Sequence, residues 1–226
     1  MQEWYLISNS NMNNDSREYD DGYALDTFLD LLDAKGIEVN IYDYALLSST
    51  PTKCIVQNRT SNTKQGSVQR EFLFPIGSIV TGMYIEYNDR FWIVNSLVDN
   101  NGVYEKAICD VCQYKLKWMN EYGFTVERWC NVSYSSSNGD IKENNIITQF
   151  DNRLSLILPN DSETNALEGK RVFIDSRTVK QKVFKILRDD DVVYDYGTCG
   201  VVTLFATRDE FNPETDDAEL GICDCK

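Results

Sequence analysis

The residues of this chain whose types and spacing could do chemistry are two close cysteine pairs. Cys109 and Cys112 form a C-x-x-C within EKAICDVCQYKLKW, and Cys223 and Cys225 close the chain in GICDCK. Four thiols in two pairs would suit a structural zinc ion or a redox centre. A zinc knuckle needs a tight turn that bends both sulfurs to one metal, whereas the residues around Cys109 alternate as a strand. Ile108, Cys112, Tyr114, Leu116 and Trp118 share one parity; Cys109, Gln113, Lys115 and Lys117 share the other. Side chains three apart on a strand face opposite sides of the sheet. Cys112 therefore reads as a small buried hydrophobe and Cys109 as facing a second layer. The C-x-C at the end is too short a pattern to define a metal site, and no helix follows Cys109 as a thioredoxin-like centre requires. Neither a metal nor a cofactor is expected.

The other polar constellations lead to the same place. The chain has no histidine, which removes Ser-His and Cys-His nucleophile pairs and every His-containing zinc site. Asp189, Asp190, Asp191 and Asp195 form an acidic run between two strand patterns, which reads as a hairpin turn rather than a cation site. Sequons at Asn58, Asn131 and Asn160 carry no weight without an export signal. No catalytic group assembles, so the expectation is a protein that is not an enzyme.

Composition bounds the partners. The 226 residues are 42% hydrophobic, which suits a folded domain with a sizeable core. Acidic residues outnumber basic ones 36 to 22, a net charge of −14 that repels phosphate backbones. Tight nucleic-acid binding is not expected; an acidic wall past which DNA moves without sticking fits that charge. No apolar run reaches the length of a membrane span, and the N-terminus lacks the basic and apolar regions of a signal peptide, so synthesis in the cytosol is expected.

The elements that would position these residues are short. Residues 1–22 read as a polar arm with an apolar anchor at Trp4-Tyr5-Leu6-Ile7, and Trp4, Tyr5 and Leu6 are the interface candidates, an aromatic anchor on a polar segment. From Tyr23 to Ala34, Leu25, Phe28, Leu29 and Leu32 recur at helical spacing, with Asp20 or Asp21 as N-cap and Gly36 as the stop. That stripe is expected to pack on the protein's own core. After Gly36 the period becomes two, and short strand patterns follow, among them a hairpin through Asn88-Asp89 and a turn at residues 99–102. Trp92 and Trp118 fall in apolar strand faces and are expected in the core. The expected fold is mainly β: a small SH3-like or OB-like barrel preceded by one amphipathic helix over residues 23–134, a loop at 135–140, and a second β-rich region over 141–226.

One long stretch, FPIGSIVTGMYIEYNDRFWIVNSLVDNNGVYEKAICDVCQYKLKWMNEYGF, resembles a pattern in virion proteins of tailed bacteriophages and prophages of low-GC Gram-positive bacteria, those of the head–tail connector. Its hairpin maps onto Gly82, Ile85 and Tyr87, then Trp92, Ile93 and Val94; its next strand maps onto Ile108 to Trp118, with Gly123 after it. The ending DEFNPETDDAELGICDCK is similar to the C-termini of such proteins, departing at Cys223 and Cys225. The resemblance implies a virion structural protein of the neck, assembled in the host cytoplasm into a homo-oligomeric ring around the DNA channel, docking portal, adaptor or tail proteins and no membrane. A tail or baseplate component, or a carbohydrate- or receptor-binding β module using the aromatics, are the rival readings.

Overall fold

The structure, a computed structural model, describes residues 14–58, 69–134, 153–175, 182–197 and 199–225. It opens with helix α1, Asn14–Lys35. The helix thus starts well before the expected cap at Asp20 or Asp21, and residues 14–22 are not part of an extended arm. Its first turns, NDSREYDD, carry no apolar stripe to mark them in sequence, and Gly22 sits inside the helix rather than at its edge. The stop is where Gly36 promised it: the Gly36 N–H bonds the Leu32 carbonyl at 2.8 Å. A Cβ on Gly36 would stand 2.2 Å from that same oxygen, so only glycine fits.

Seven strands follow in one sheet: β1 (Ile37–Tyr42), β2 (Ser49–Asn58), β3 (Gln69–Phe74), β4 (Tyr84–Tyr87), β5 (Arg90–Val94), β6 (Asp99–Asn100) and β7 (Glu105–Val111). The pairing runs β3-β2-β1-β4-β5-β7-β6, and β3 also pairs with β7. That last ladder closes the sheet into an antiparallel barrel, which leaves its long strands no free edge. The β4–β5 hairpin turns at Asn88 and Asp89, both left-handed with φ of 52° and 57°, as a two-residue turn of this kind demands.

The chain then leaves the first barrel. β7 ends at Val111, Cys112 and Gln113 cross over, and β8 (Tyr114–Met119) begins the second sheet with β9 (Thr125–Tyr134). β10 (Leu154–Pro159), the short helix α2 (Ser162–Asn165), β11 (Arg171–Asp175), β12 (Lys182–Asp190) and β13 (Val201–Asp209) complete it. Its order is β11-β12-β13-β10-β9-β8, antiparallel throughout, with β8 and β11 drawn towards each other. The boundary between the two sheets is therefore at Cys112–Gln113 and not in the 135–140 loop, which lies outside the described residues. Strands over 114–134, expected in the first barrel, belong to the second sheet.

Each strand's alternation serves two layers. In β4 and β5, Ile85, Trp92 and Val94 fill the first barrel with Phe72, Phe74 and Cys109. Their neighbours Tyr84 and Ile93 point outwards into a junction with Cys112, Val201, Trp129 and Ile157. The second core is built on Leu116, Trp118, Leu156, Leu158, Ile186 and Leu204. Burying large aliphatic and aromatic side chains on both faces is what makes these short strands stable.

Candidate docking surfaces

Trp4, Tyr5 and Leu6 lie outside the described residues. The nearest described element is α1, and it is only half covered. Phe28 and Leu32 are buried against Leu73, Ile55, Val103 and Tyr104, with the Phe28 and Tyr104 rings 5.2 Å apart. Leu25 and Leu29, expected in the same buried stripe, stay 36% and 44% exposed. On the opposite flank Tyr23 and Leu31 are also exposed, and between them and the barrel runs an apolar groove of about 520 Å³. The one ion pair holding the helix among its described side chains, Lys53 to Asp33 at 2.6 Å, is solvent-exposed and contributes little.

The two barrels meet through polar as well as apolar contacts. The Tyr84 hydroxyl donates to the Trp129 carbonyl at 2.6 Å, and the Phe91 and Trp129 rings stack at 5.0 Å. Arg128 donates to Asp161 at 3.0 Å and reaches the Ala45 carbonyl at 3.5 Å, tying β9 to the N-cap of α2 and to a loop of the first barrel. At the crossover the Cys112 N–H bonds the Phe91 carbonyl at 2.8 Å, and the Gln113 side chain accepts the Val132 N–H at 2.7 Å.

The strand carrying the C-x-x-C is thus not continuous. Cys109 points into the first barrel beside Ala107 and Val111, and Cys112 sits in the junction near Cys130. The sulfurs end in different apolar clusters, as strand parity predicts: Cys109 shares its face with Ala107 and Val111, and Cys112, still bonded to Phe91 one residue past the end of β7, faces the other side. No Gly or Pro marks the break that follows. Burial pushes both thiols well above their ordinary range. Among the described residues, no three Cys, Asp or Glu side chains gather as metal ligands. The acidic run closes a hairpin, as expected: Asp189 and Asp190 end β12, and the loop beyond exposes Val192 (78%) and Val193 (61%). The apolar DVVYDYG reads as a strand in sequence, yet it forms only an isolated bridge, Asp195 to Gly200.

A clasp at the C-terminus went unread in the sequence. Asp216 is buried, and its carboxylate accepts Arg171 at 2.7 Å, the Asn212 N–H at 2.9 Å and the Asp224 N–H at 3.2 Å. Arg171 also pairs with Asp224 and bonds the Thr215 hydroxyl at 3.0 Å. Phe211 and Cys223 pack on Phe173 and Val183 beneath it. FNPETD is therefore a turn wound about one carboxylate. The signal for it was a lone arginine opening β11 and an aspartate-rich tail, which no local periodicity connects.

The first barrel ends at Val111, and a family match ends beside it. Residues 2–110 match the model of the YomX N-terminal domain. This family is phage-derived, and the match fits a phage protein. The matched residues run from the N-terminal segment through α1 and the first barrel to Asp110, which is where the sheet topology also divides the chain. No curated protein shows significant sequence similarity to the chain. Among solved structures, one titled "MrkH, A novel c-di-GMP dependence transcription regulatory factor" aligns over 86% of this chain and 85% of that one, at 6% identity and a TM-score of 0.24. The apo form of K. pneumonia MrkH aligns over 89% and 88%, at 11% identity and a TM-score of 0.25. Such scores carry no argument about fold or activity.

Proposed function

We propose that this chain is a structural protein of a phage virion, working in the head–tail connector as one subunit of a ring that closes the filled capsid and docks the tail. The observation that carries the reading is the match of residues 2–110 to the phage-derived YomX N-terminal domain. The geometry is in keeping with it. Two barrels share a packed, hydrogen-bonded junction, as a load-carrying joint needs, and Leu25 and Leu29 of α1 and the 191–197 hairpin tip leave apolar side chains available to neighbours. Among the described residues, the tryptophans that a carbohydrate-binding module would present are engaged in packing: Trp92 and Trp118 are in the cores, and Trp129 is stacked on Phe91. A net charge of −14 suits a wall along which DNA slides without capture. On this reading the protein is not an enzyme, takes no cofactor, and has its own copies and portal, adaptor or tail proteins as partners. Electron cryomicroscopy of purified particles tests it: density for the two-barrel chain in a ring at the neck is expected, and its absence from the particle, or its placement in the baseplate, overturns the reading.

A further inference from the structure

We infer that the groove between α1 and the first barrel is the seat of the chain's own N-terminal segment, Trp4-Tyr5-Leu6-Ile7, which lies outside the described residues. The groove is walled by Tyr23 and Leu31 on one side and by Ile55, Leu73, Val103 and Tyr104 on the other, mainly apolar, with Thr27, Gln57 and Asn101 also lining it. Tyr23 and Leu31 are 71% and 47% exposed there, and with the barrel wall they form one contiguous apolar patch. Chain length selects the occupant. Tyr23 is nine residues into a helix that starts at Asn14, a rise of about 13.5 Å. The six residues Ser8 to Asn13 reach at most about 20 Å, so Ile7 can arrive at the Tyr23 end of the groove. From there an extended Trp4–Ile7 covers about 13 Å, against a rise of about 12 Å from Tyr23 to Leu31. Trp4 then falls at the Leu31 end.

Two further observations favour this occupant. The intervening SNSNMN is rich in the Asn and Ser that reverse a chain. The family match begins at residue 2 and ends with the first barrel, so the segment, the helix and the barrel are matched as one unit. The other apolar run outside the described residues, around Ile146 and Ile147, is tethered to the second sheet between β9 and β10. A segment tethered this closely competes at a local concentration in the millimolar range, ahead of another copy's. The inference is independent of the ring and the neck.

The experiment uses the full chain with Trp4→Ala and Leu6→Ala, and a fluorescent peptide of residues 2–14 added in trans. The double variant is expected to bind the peptide at least tenfold more tightly than the unaltered chain, whose own segment fills the groove. Adding Leu31→Asp, or separately Val103→Asp from the opposite wall, is expected to weaken that binding at least tenfold, with circular dichroism unchanged. No gain of binding in the double variant overturns the inference, as does binding that both groove variants leave intact. Light scattering separates the remaining case: a drop in oligomeric mass in the double variant puts the segment on a second copy and overturns the assignment to its own chain.

Discussion

Gly82 and Gly200 meet backbone to backbone across the two barrels: a Cβ on Gly82 would stand 2.4 Å from the Gly200 carbonyl oxygen. That oxygen is already in use, accepting the Asn160 N–H at 3.1 Å, and Gly82 has a φ of +90°. Gly82→Ala therefore meets two penalties, a left-handed backbone and a clash that must move a bonded carbonyl. We expect a loss of about 2–3 kcal/mol, seen as a fall of roughly 4–12 °C in Tm. Gly77→Ala is the control: its φ is also positive, but nothing lies within 4 Å of the added methyl, so it should lose less. Equal losses for the two would mean that the close approach does not matter.

The Arg171 clasp holds the C-terminal residues to β11. Its side chain is largely buried and Asp216 is fully so, and removing one partner of such a pair leaves a desolvated charge behind. Arg171→Ala should cost about 3 kcal/mol in urea denaturation and expose residues 210–225 to limited proteolysis. Arg171→Lys should recover only part of that loss, because an ammonium cannot bridge Asp216, Asp224 and Thr215 as a planar fork does. A clasp that proved indifferent to Arg171→Ala would be held by Phe211 and Cys223 alone.

What could be read in sequence was whatever local periodicity encodes. Val39 and Ile41 in β1, the Asn88-Asp89 hairpin, the Leu116 and Trp118 face of β8, and the mainly β class all follow from alternation and turn chemistry. The misses share a cause, which is that tertiary contacts decided them. The break at Cys112–Gln113 has no Gly or Pro; it is made by hydrogen bonds to Phe91, Cys130 and Val132. β9 disguises itself with two buried polar residues, Arg128 and Asn131, whose partners are 33 and 20 residues away. The candidate docking surfaces were hidden for the same reason: exposure of Leu31 and Tyr23 depends on what the barrel fails to cover.

The seven thiols should divide cleanly in the native state. Burial pushes Cys54 and Cys223 up to about 12, and it raises Cys109, Cys112 and Cys130 as well. Cys199 and Cys225 alone are half-exposed. Alkylation with iodoacetamide at pH 8 followed by mass spectrometry should find adducts at Cys199 and Cys225 only, and at all seven in denaturant. Prompt native labelling of Cys109 or Cys112 would contradict the placement of both inside apolar clusters.

Glu127 gives the fold a small acid-sensitive contribution. Hydrogen bonds from Lys115 and then Lys117, both lying beside it on β8, hold its carboxyl below the ordinary value of 4.5 despite partial burial. A depressed folded value means the stabilisation is complete above about pH 4.5 and fades as pH falls through the lower folded value. With side chains about a third exposed, solvent screens the trio to below about 1 kcal/mol. Glu127→Gln should thus lower the urea midpoint slightly at pH 7, the gap to the unaltered chain should close towards pH 3, and high salt at pH 7 should shrink it too. A gap that widens in acid would reverse the sign of the argument, placing the Lys115 and Lys117 charges against the fold rather than for it.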